Sequence, residues 1–240
     1  MTNMHVDRAM LLAAGLGTRL RPLTLDTPKP LLPFDGTILI DHQLRYLARS
    51  GIKSVAINLH HLGEKIREHV GNGARFGLEI FYSEEPQILG TGGGIKKAAR
   101  FFGRNPFVVL NADALIAADI RALAKAHFSR GVQVTMAVKR LDDGDDFTPI
   151  DVSDDGFIKG FGSGSYFYTG LQILSPDIFD ALPASGIPAC LIKDGYMRLL
   201  ELGGKIGSFE YEGYFNDLGT PKRYEAAKEA IKAGEFKMYT

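Results

Sequence analysis

From residue 9 to residue 138 the chain alternates between short apolar runs and segments of helical spacing, and this alternation constrains its fold most. Residues 9–14, 54–59, 78–82, 107–111 and 134–138 read as buried strands, because each run is short and bounded by polar residues or glycine. Between them Leu39, Ile40, Leu44, Leu47 and Ala48 recur at helical spacing, with Gly51 at the place of a C-terminal cap. Residues 64–70, 94–102 and 119–130 read as further helices. Strands separated by helices need crossover connections, which predicts right-handed βαβ units and a mostly parallel mixed sheet with helices on both faces. After Leu141 the rhythm changes. Residues 150–153 and 157–161 flank the turn Asp154-Asp155-Gly156, and residues 166–174 form another strand. Ser175-Pro176 and Thr220-Pro221 each place a capping residue before a first-turn proline, the second opening a last helix over residues 221–233. No repeat or low-complexity linker interrupts the chain, so residues 1–240 are expected to form one domain.

Composition excludes several classes of function. Lys plus Arg and Asp plus Glu both total 28, which removes the electrostatic case for nucleic acid or an anionic membrane as partner. One cysteine, Cys190, excludes an internal disulfide and any multi-cysteine metal site; its apolar neighbours Leu191, Ile192, Met197, Leu199 and Leu200 suggest a small buried hydrophobe in a helix. No apolar run is long enough to span a bilayer and residues 1–8 lack a signal-peptide core, so a cytoplasmic protein is expected. Adjacent His60 and His61 on extended backbone face opposite ways and make a poor joint metal site. Glycine stands out, at 28 of 240 residues against a usual ~7%.

Its clustering gives the reason. Ala13-Ala14-Gly15-Leu16-Gly17-Thr18-Arg19 leaves the first strand for a loop that runs to Gly36 and contains Pro22, Pro28, Pro30 and Pro33. Glycine lets backbone N–H groups approach an anion closely. A dinucleotide fingerprint would need a glycine where Leu20 stands and an acid at the end of the second strand, which ends in Asn58 and Leu59. A Walker A loop would end in Gly-Lys-Ser/Thr, and none follows. Lys29, in Thr27-Pro28-Lys29-Pro30-Leu31-Leu32-Pro33, sits on a stiff backbone that suits a cation meeting a phosphate at a fixed place.

Gly17-Thr18-Arg19-Leu20-Arg21-Pro22-Leu23-Thr24 and the Pro28-Lys29-Pro30 segment together resemble the signature of the sugar-1-phosphate nucleotidyltransferase family. The resemblance implies a Rossmann-like fold of the nucleotidyltransferase type, with residues of about 1–140 binding nucleotide and about 141–240 binding the sugar phosphate. It implies nucleotide contacts from Ala14, Gly15, Gly17, Thr18, Arg19, Lys29 and Gly90, with Arg19 and Lys29 also catalytic. The run Gly90-Thr91-Gly92-Gly93-Gly94-Ile95 would pack under the nucleobase. Asp113, ending Asn111-Ala112-Asp113, and Asp217, in Phe215-Asn216-Asp217-Leu218-Gly219-Thr220, match positions that together hold Mg²⁺. Asn111, Asp146 and Thr169 would bind the sugar.

Thr91-Gly92-Gly93-Gly94-Ile95, Asp146-Phe147, Thr169-Gly170 and Asp217-Leu218-Gly219-Thr220 are most similar to the branch that joins UTP and N-acetylmuramic acid 1-phosphate in peptidoglycan recycling. Two departures stand out. Gly160-Phe161-Gly162-Ser163-Gly164-Ser165 occupies the region of a Glu-Lys-Pro segment common elsewhere in the family, and Ala112 replaces a usual glycine. No hexapeptide repeat follows the last helix, which points away from members with a β-helical tail. A mannose- or heptose-1-phosphate guanylyltransferase is the first alternative, and a non-catalytic nucleotide-sugar-binding domain the second. The second alternative would be expected to have lost one of Arg19, Lys29, Asp113 and Asp217, and all are present. Monomer and homodimer both remain open.

Overall fold

A computed structural model describes residues 5–237, which fold as two compact units interleaved along the sequence. The first unit comprises Asp7–Ile88, Leu110–Ala117 and the chain from Tyr214 onward; the second comprises chiefly Leu89–Val109 and Ala118–Gly213. Residues from 214 therefore join the start of the chain, because strand Phe215–Asp217 pairs antiparallel with Ala114–Ile116.

In the first unit, strands Arg8–Leu12, Ser54–Leu59 and Glu79–Glu84 run parallel, with Leu12 opposite Asn58 and Asn58 opposite Ser83. Ala9, Met10, Leu11, Val55, Ala56 and Ile57 are fully buried, as expected of strands covered on both faces. Helices Leu39–Arg49 and Gly63–Val70 follow the spacing of their apolar residues. Gly51, at φ 99°, takes the chain out of the first of these.

The loop after Arg8–Leu12 is anchored along its length. It contains single 3₁₀ turns at Thr18–Leu20 and Lys29–Leu31 and a short ladder of Pro33–Phe34 with Thr37–Ile38. Its Leu20, Leu32 and Phe34 enter one apolar cluster with Leu115, Leu218 and Tyr224. The Phe34 and Tyr224 rings meet edge to face at 5.2 Å, and the Tyr224 hydroxyl donates to the Pro33 carbonyl. Burying a side chain such as Leu20, Leu115 or Leu218 contributes roughly 2 kcal/mol, so the cluster can offset the entropy of ordering the loop. Thr220 caps the last helix, Pro221–Lys232, by accepting from the Arg223 N–H.

Strand Phe107–Asn111 carries the chain from the second unit's residues into the first's. At the centre of the second unit, Val134–Arg140 pairs antiparallel with Tyr166–Leu174 and parallel with Ile206–Glu210. The last of these strands went unread in the sequence, since its Gly207 and Ser208 dilute the apolar pattern. Ile150–Val152 and Ile158–Phe161 form the expected hairpin. Parallel strands in one unit and mixed pairing in the other, with helices between, give the mixed-sheet class expected from the alternation.

Three local expectations are corrected. The helix expected over 94–102 begins at Gly90 and is divided into Gly90–Lys97 and Ala99–Phe102. Ser175 does not cap a helix: its Oγ lies 3.0 Å from His127 Nε2, and the short helix that follows is Ile178–Ala181. Cys190 is exposed rather than buried, standing just before a π-helical turn at Leu191–Tyr196. Leu191, Tyr196 and Leu199 turn inward after it, while Cys190 itself and Met197 stay outside.

The glycine run has a packing reason inside the second unit. The N–H groups of Gly92 and Gly93 donate to the Ala189 carbonyl at 2.9 and 3.2 Å. A Cβ on Gly90 would lie 2.7 Å from the Ala189 oxygen, and one on Gly93 2.7 Å from the Ile187 oxygen. Backbone meets backbone there, and only glycine permits the approach.

Candidate active site

A cleft of about 340 Å³ opens in the first unit at the C-terminal end of strand Arg8–Leu12. Gly15, Gly17, Thr18, Arg19, Lys29, Asp113 and Gly219 are among its lining residues. Ligands in open α/β sheets collect beyond the carboxyl ends of strands, where loops rather than ladder partners face the solvent.

Each part of the lining has a local cause. Gly17 adopts φ 62°, and a Cβ there would lie 3.1 Å from Thr24 Cγ2. The Thr24 hydroxyl donates to the Gly17 carbonyl at 2.7 Å, and the Leu20 N–H donates to the same oxygen at 3.0 Å. The turn is thereby closed on itself, leaving Thr18 and Arg19 exposed at its rim. Lys29 is 8% exposed, and its Nζ reaches Asp113 Oδ2 at 2.7 Å. A buried ammonium needs such a partner, because desolvation would otherwise oppose its charge.

Asp113 and Asp217 are brought together by the backbone. In the ladder Asp217 stands opposite Ala114, and the Leu218 N–H donates to the Asp113 carbonyl at 2.9 Å. Arg223, from the first turn of the last helix, donates to Asp217 Oδ2 at 2.8 Å. Asp217 Oδ1 is buried and has no hydrogen-bond partner among the described residues. Gly219 closes over this carboxylate: a Cβ there would lie 2.4 Å from Asp217 Oδ1 and 2.9 Å from Arg19 Nη2. Arg223, Gly219 and Thr24 were not singled out from sequence; the Gly-Thr-Pro of residues 219–221 marked a helix start without showing what packed beside it.

A buried carboxylate oxygen lacking a donor fits a hard cation, which binds oxygen ligands and shares its shell with phosphate and water. Asp217, through Oδ1, and the partly exposed Asp113 supply that oxygen chemistry. The residues therefore fit the Mg²⁺ that the resemblance implies.

The remaining expected residues are not among the lining residues. Ala14 is buried between the lining residues Ala13 and Gly15, and Asn111 ends its strand two residues before Asp113. Gly90, Asp146 and Thr169 belong to the second unit. Gly90 opens the glycine-rich helix, and Asp146 is exposed in the acidic turn beside Phe147, whose ring stacks on Phe167 at 4.3 Å. Thr169 is 1% exposed, and its hydroxyl donates to the Ala137 carbonyl at 2.9 Å. Its proton is spent within the sheet.

Comparison with known proteins gives the family and supports the fold. Residues 8–234 match the nucleotidyl transferase family. The chain is 34% identical to an N-acetylmuramate alpha-1-phosphate uridylyltransferase of Neisseria meningitidis, over 92% of this chain and 96% of that protein. It is 31% identical to a UTP–glucose-1-phosphate uridylyltransferase of Synechocystis, over 96% of this chain, but spans only 64% of that relative's length. A crystal structure of a glucose-1-phosphate thymidylyltransferase from Bacillus anthracis superimposes with a TM-score of 0.84 at 21% identity, covering 97% of both chains.

Proposed function

Because the chain belongs to the nucleotidyl transferase family, we propose that it transfers a nucleotidyl group from a nucleoside triphosphate to a sugar 1-phosphate, releasing pyrophosphate. UTP is the favoured donor and N-acetylmuramic acid 1-phosphate the favoured acceptor, placing the enzyme in cytoplasmic recycling of cell-wall sugars as a monomer or homodimer. The observation that carries the reading is the cleft in which the glycine loop, Arg19, Lys29 and Asp113 converge beside Gly219 and Asp217.

The chemistry asks little of a general base. A sugar 1-phosphate is largely ionised at neutral pH, its second pKa being about 6. One of its oxygens forms a bond to the α-phosphorus as the bond to the pyrophosphate oxygen breaks, and the electron pair leaves with pyrophosphate. What the protein supplies is position and charge for two anions that repel each other. Arg19 presents a planar fork at the rim of the turn, suited to bidentate contact with phosphate oxygens. Lys29, held on its 3₁₀ turn, offers a point charge that exchanges Asp113 for phosphate when the triphosphate binds. Asp113 and Asp217 would hold Mg²⁺, which when bound neutralises charge on the phosphates. Asp217 is kept in register for this by Arg223.

For the acceptor, Asn111, Asp146 and Thr169 are proposed to contact the sugar, with Gly90 and Ala14 beside the nucleotide. Asp146 and its acidic neighbours Asp142, Asp143 and Asp145 are exposed, which disfavours an acceptor bearing a lactyl carboxylate unless that group faces solvent or Lys159. This observation keeps a second reading in play, a guanylyltransferase acting on mannose or heptose 1-phosphate. Measuring pyrophosphate release for four nucleoside triphosphates against muramate, glucosamine, glucose, mannose and heptose 1-phosphates decides between them. UTP with the muramate phosphate should give the highest kcat/KM. Preference for a neutral hexose or heptose overturns the acceptor, and no release with any pair overturns the activity.

A further inference from the structure

Behind the cleft lies a buried polar relay that the reaction above does not use. Asn58, at the end of strand Ser54–Leu59, and Glu85, just past Glu79–Glu84, are each 3% exposed. Asn58 uses both ends of its amide: Oδ1 accepts from the Ala13 N–H at 2.8 Å, and Nδ2 donates to Glu85 Oε1 at 2.8 Å. Glu85 is held by its backbone, its N–H donating to the Leu59 carbonyl at 2.8 Å and its carbonyl meeting His60 Nδ1 at 2.7 Å.

Leu12 and Ala13 share the peptide plane at the end of the first strand, two residues before Gly15, and both line the cleft. The N–H edge of that plane is taken by Asn58. Its opposite edge, the Leu12 carbonyl, accepts from the Ala112 N–H at 3.1 Å, one residue before Asp113. The plane is thus pinned on both sides, joining the loop's origin to the Asp113 turn. A side-chain amide can present either its oxygen or its nitrogen, and the Glu85 acceptor decides which. Burial of an acid and an amide is costly relative to an apolar pair of similar size, so packing alone does not call for them.

We propose that Asn58 and Glu85 are positioning residues for the triphosphate: they orient the Leu12–Ala13 peptide plane, which leads through Ala14 into the loop Gly15–Arg19. The inference rests on the cleft being the nucleotide site.

Asn58→Asp keeps the shape and the acceptor for Ala13 but turns a carboxylate oxygen towards Glu85. Two carboxylates at such range cannot both ionise, so the relay survives only while they share a proton. Relative to wild type at each pH, kcat/KM for the triphosphate should fall at least tenfold at pH 8 and recover substantially at pH 6. The KM for the sugar phosphate should change little. Adding Glu85→Gln places a donor opposite the introduced carboxylate and rebuilds the relay with reversed polarity. The double variant should return to within threefold of wild type at both pH values. Urea unfolding of each variant separates misfolding from misplacement, and if Asn58→Asp alone does not fold, the double variant carries the test. A folded double variant that remains tenfold impaired, a pH-independent loss in Asn58→Asp, or a loss confined to the acceptor overturns the inference. Lys29→Ala in the same assay isolates the premise: if it leaves triphosphate kinetics intact, the cleft assignment fails, whereas a Lys29 effect without an Asn58 effect removes only the relay.

Discussion

Replacing Gly219 by alanine adds one methyl group to the cleft wall, and the structure says where it goes. The new Cβ would stand 2.4 Å from Asp217 Oδ1 and 2.9 Å from Arg19 Nη2, whereas real Cβ atoms essentially never come within 3.0 Å of a neighbour. Gly219 is not among the positive-φ residues, so the backbone accepts alanine and the cost falls on its neighbours. Arg19 is exposed and can swing away. Asp217 cannot yield as freely, since its other oxygen is bound by Arg223 at 2.8 Å. Its carboxylate must therefore retreat by at least about half an ångström, and displacements approaching 1 Å in a reacting constellation cost on the order of 10²-fold. By rate arithmetic that is about 2.7 kcal/mol of transition-state stabilisation. The loss of global stability should be smaller, about 1 kcal/mol, because Arg19 is exposed and the Asp217 side chain is only partly buried. Steady-state pyrophosphate release and urea unfolding on the same preparation measure both. A variant within threefold of wild-type kcat/KM would show that Asp217 and Arg19 need not hold these positions, and the site as assigned would fall with it.

Other consequences are quicker to state. Asp113→Asn and Asp217→Asn should each lower turnover by orders of magnitude with the fold intact by circular dichroism; near-normal activity of either at limiting Mg²⁺ removes the metal assignment. Lys29→Ala should raise the triphosphate KM and slow turnover together, and Arg19→Ala should change at least one kinetic constant more than about threefold, roughly 0.7 kcal/mol. Burial lowers the pKa of His127 to about 4 from 6.5, so the unfolded chain takes up this proton first as pH falls. His127 therefore withdraws about 2 kcal/mol of stability between pH 7.5 and pH 5. The stability difference between wild type and His127→Gln should shift by that amount against wild type over this range, and a pH-independent difference in urea unfolding would refute it. Gly93→Ala, whose Cβ would meet the Ile187 oxygen at 2.7 Å, should destabilise by roughly 1–3 kcal/mol despite alanine's better helix propensity. A gain in stability there would mean the helix does not need its close approach to the Ile187–Ala189 backbone.

Much of the architecture was legible because its signals are local. Strands Ser54–Leu59, Phe107–Asn111 and Tyr166–Leu174 have the bounds that their apolar runs gave. The Thr220 cap and the Gly51 exit depend on one or two dihedral angles, which a residue type can announce by itself. Candidate residues in the glycine loop, Lys29 and the two aspartates were nameable for a different reason, since an ordered motif marks them wherever the chain later carries them. What the sequence could not show was what each of them would touch. Asp217 meets Arg223 only because the last helix starts just after Thr220, and it nears Asp113 only because strand Phe215–Asp217 pairs across about a hundred residues with Ala114–Ile116. The partnering of Ser175 with His127, the exposure of Cys190, the crowding at Gly219 and the Asn58–Glu85 relay are of the same kind. A residue's type sets which bonds it can make, but contacts between distant segments depend on where the backbone of both has been placed, and tertiary packing alone decides that.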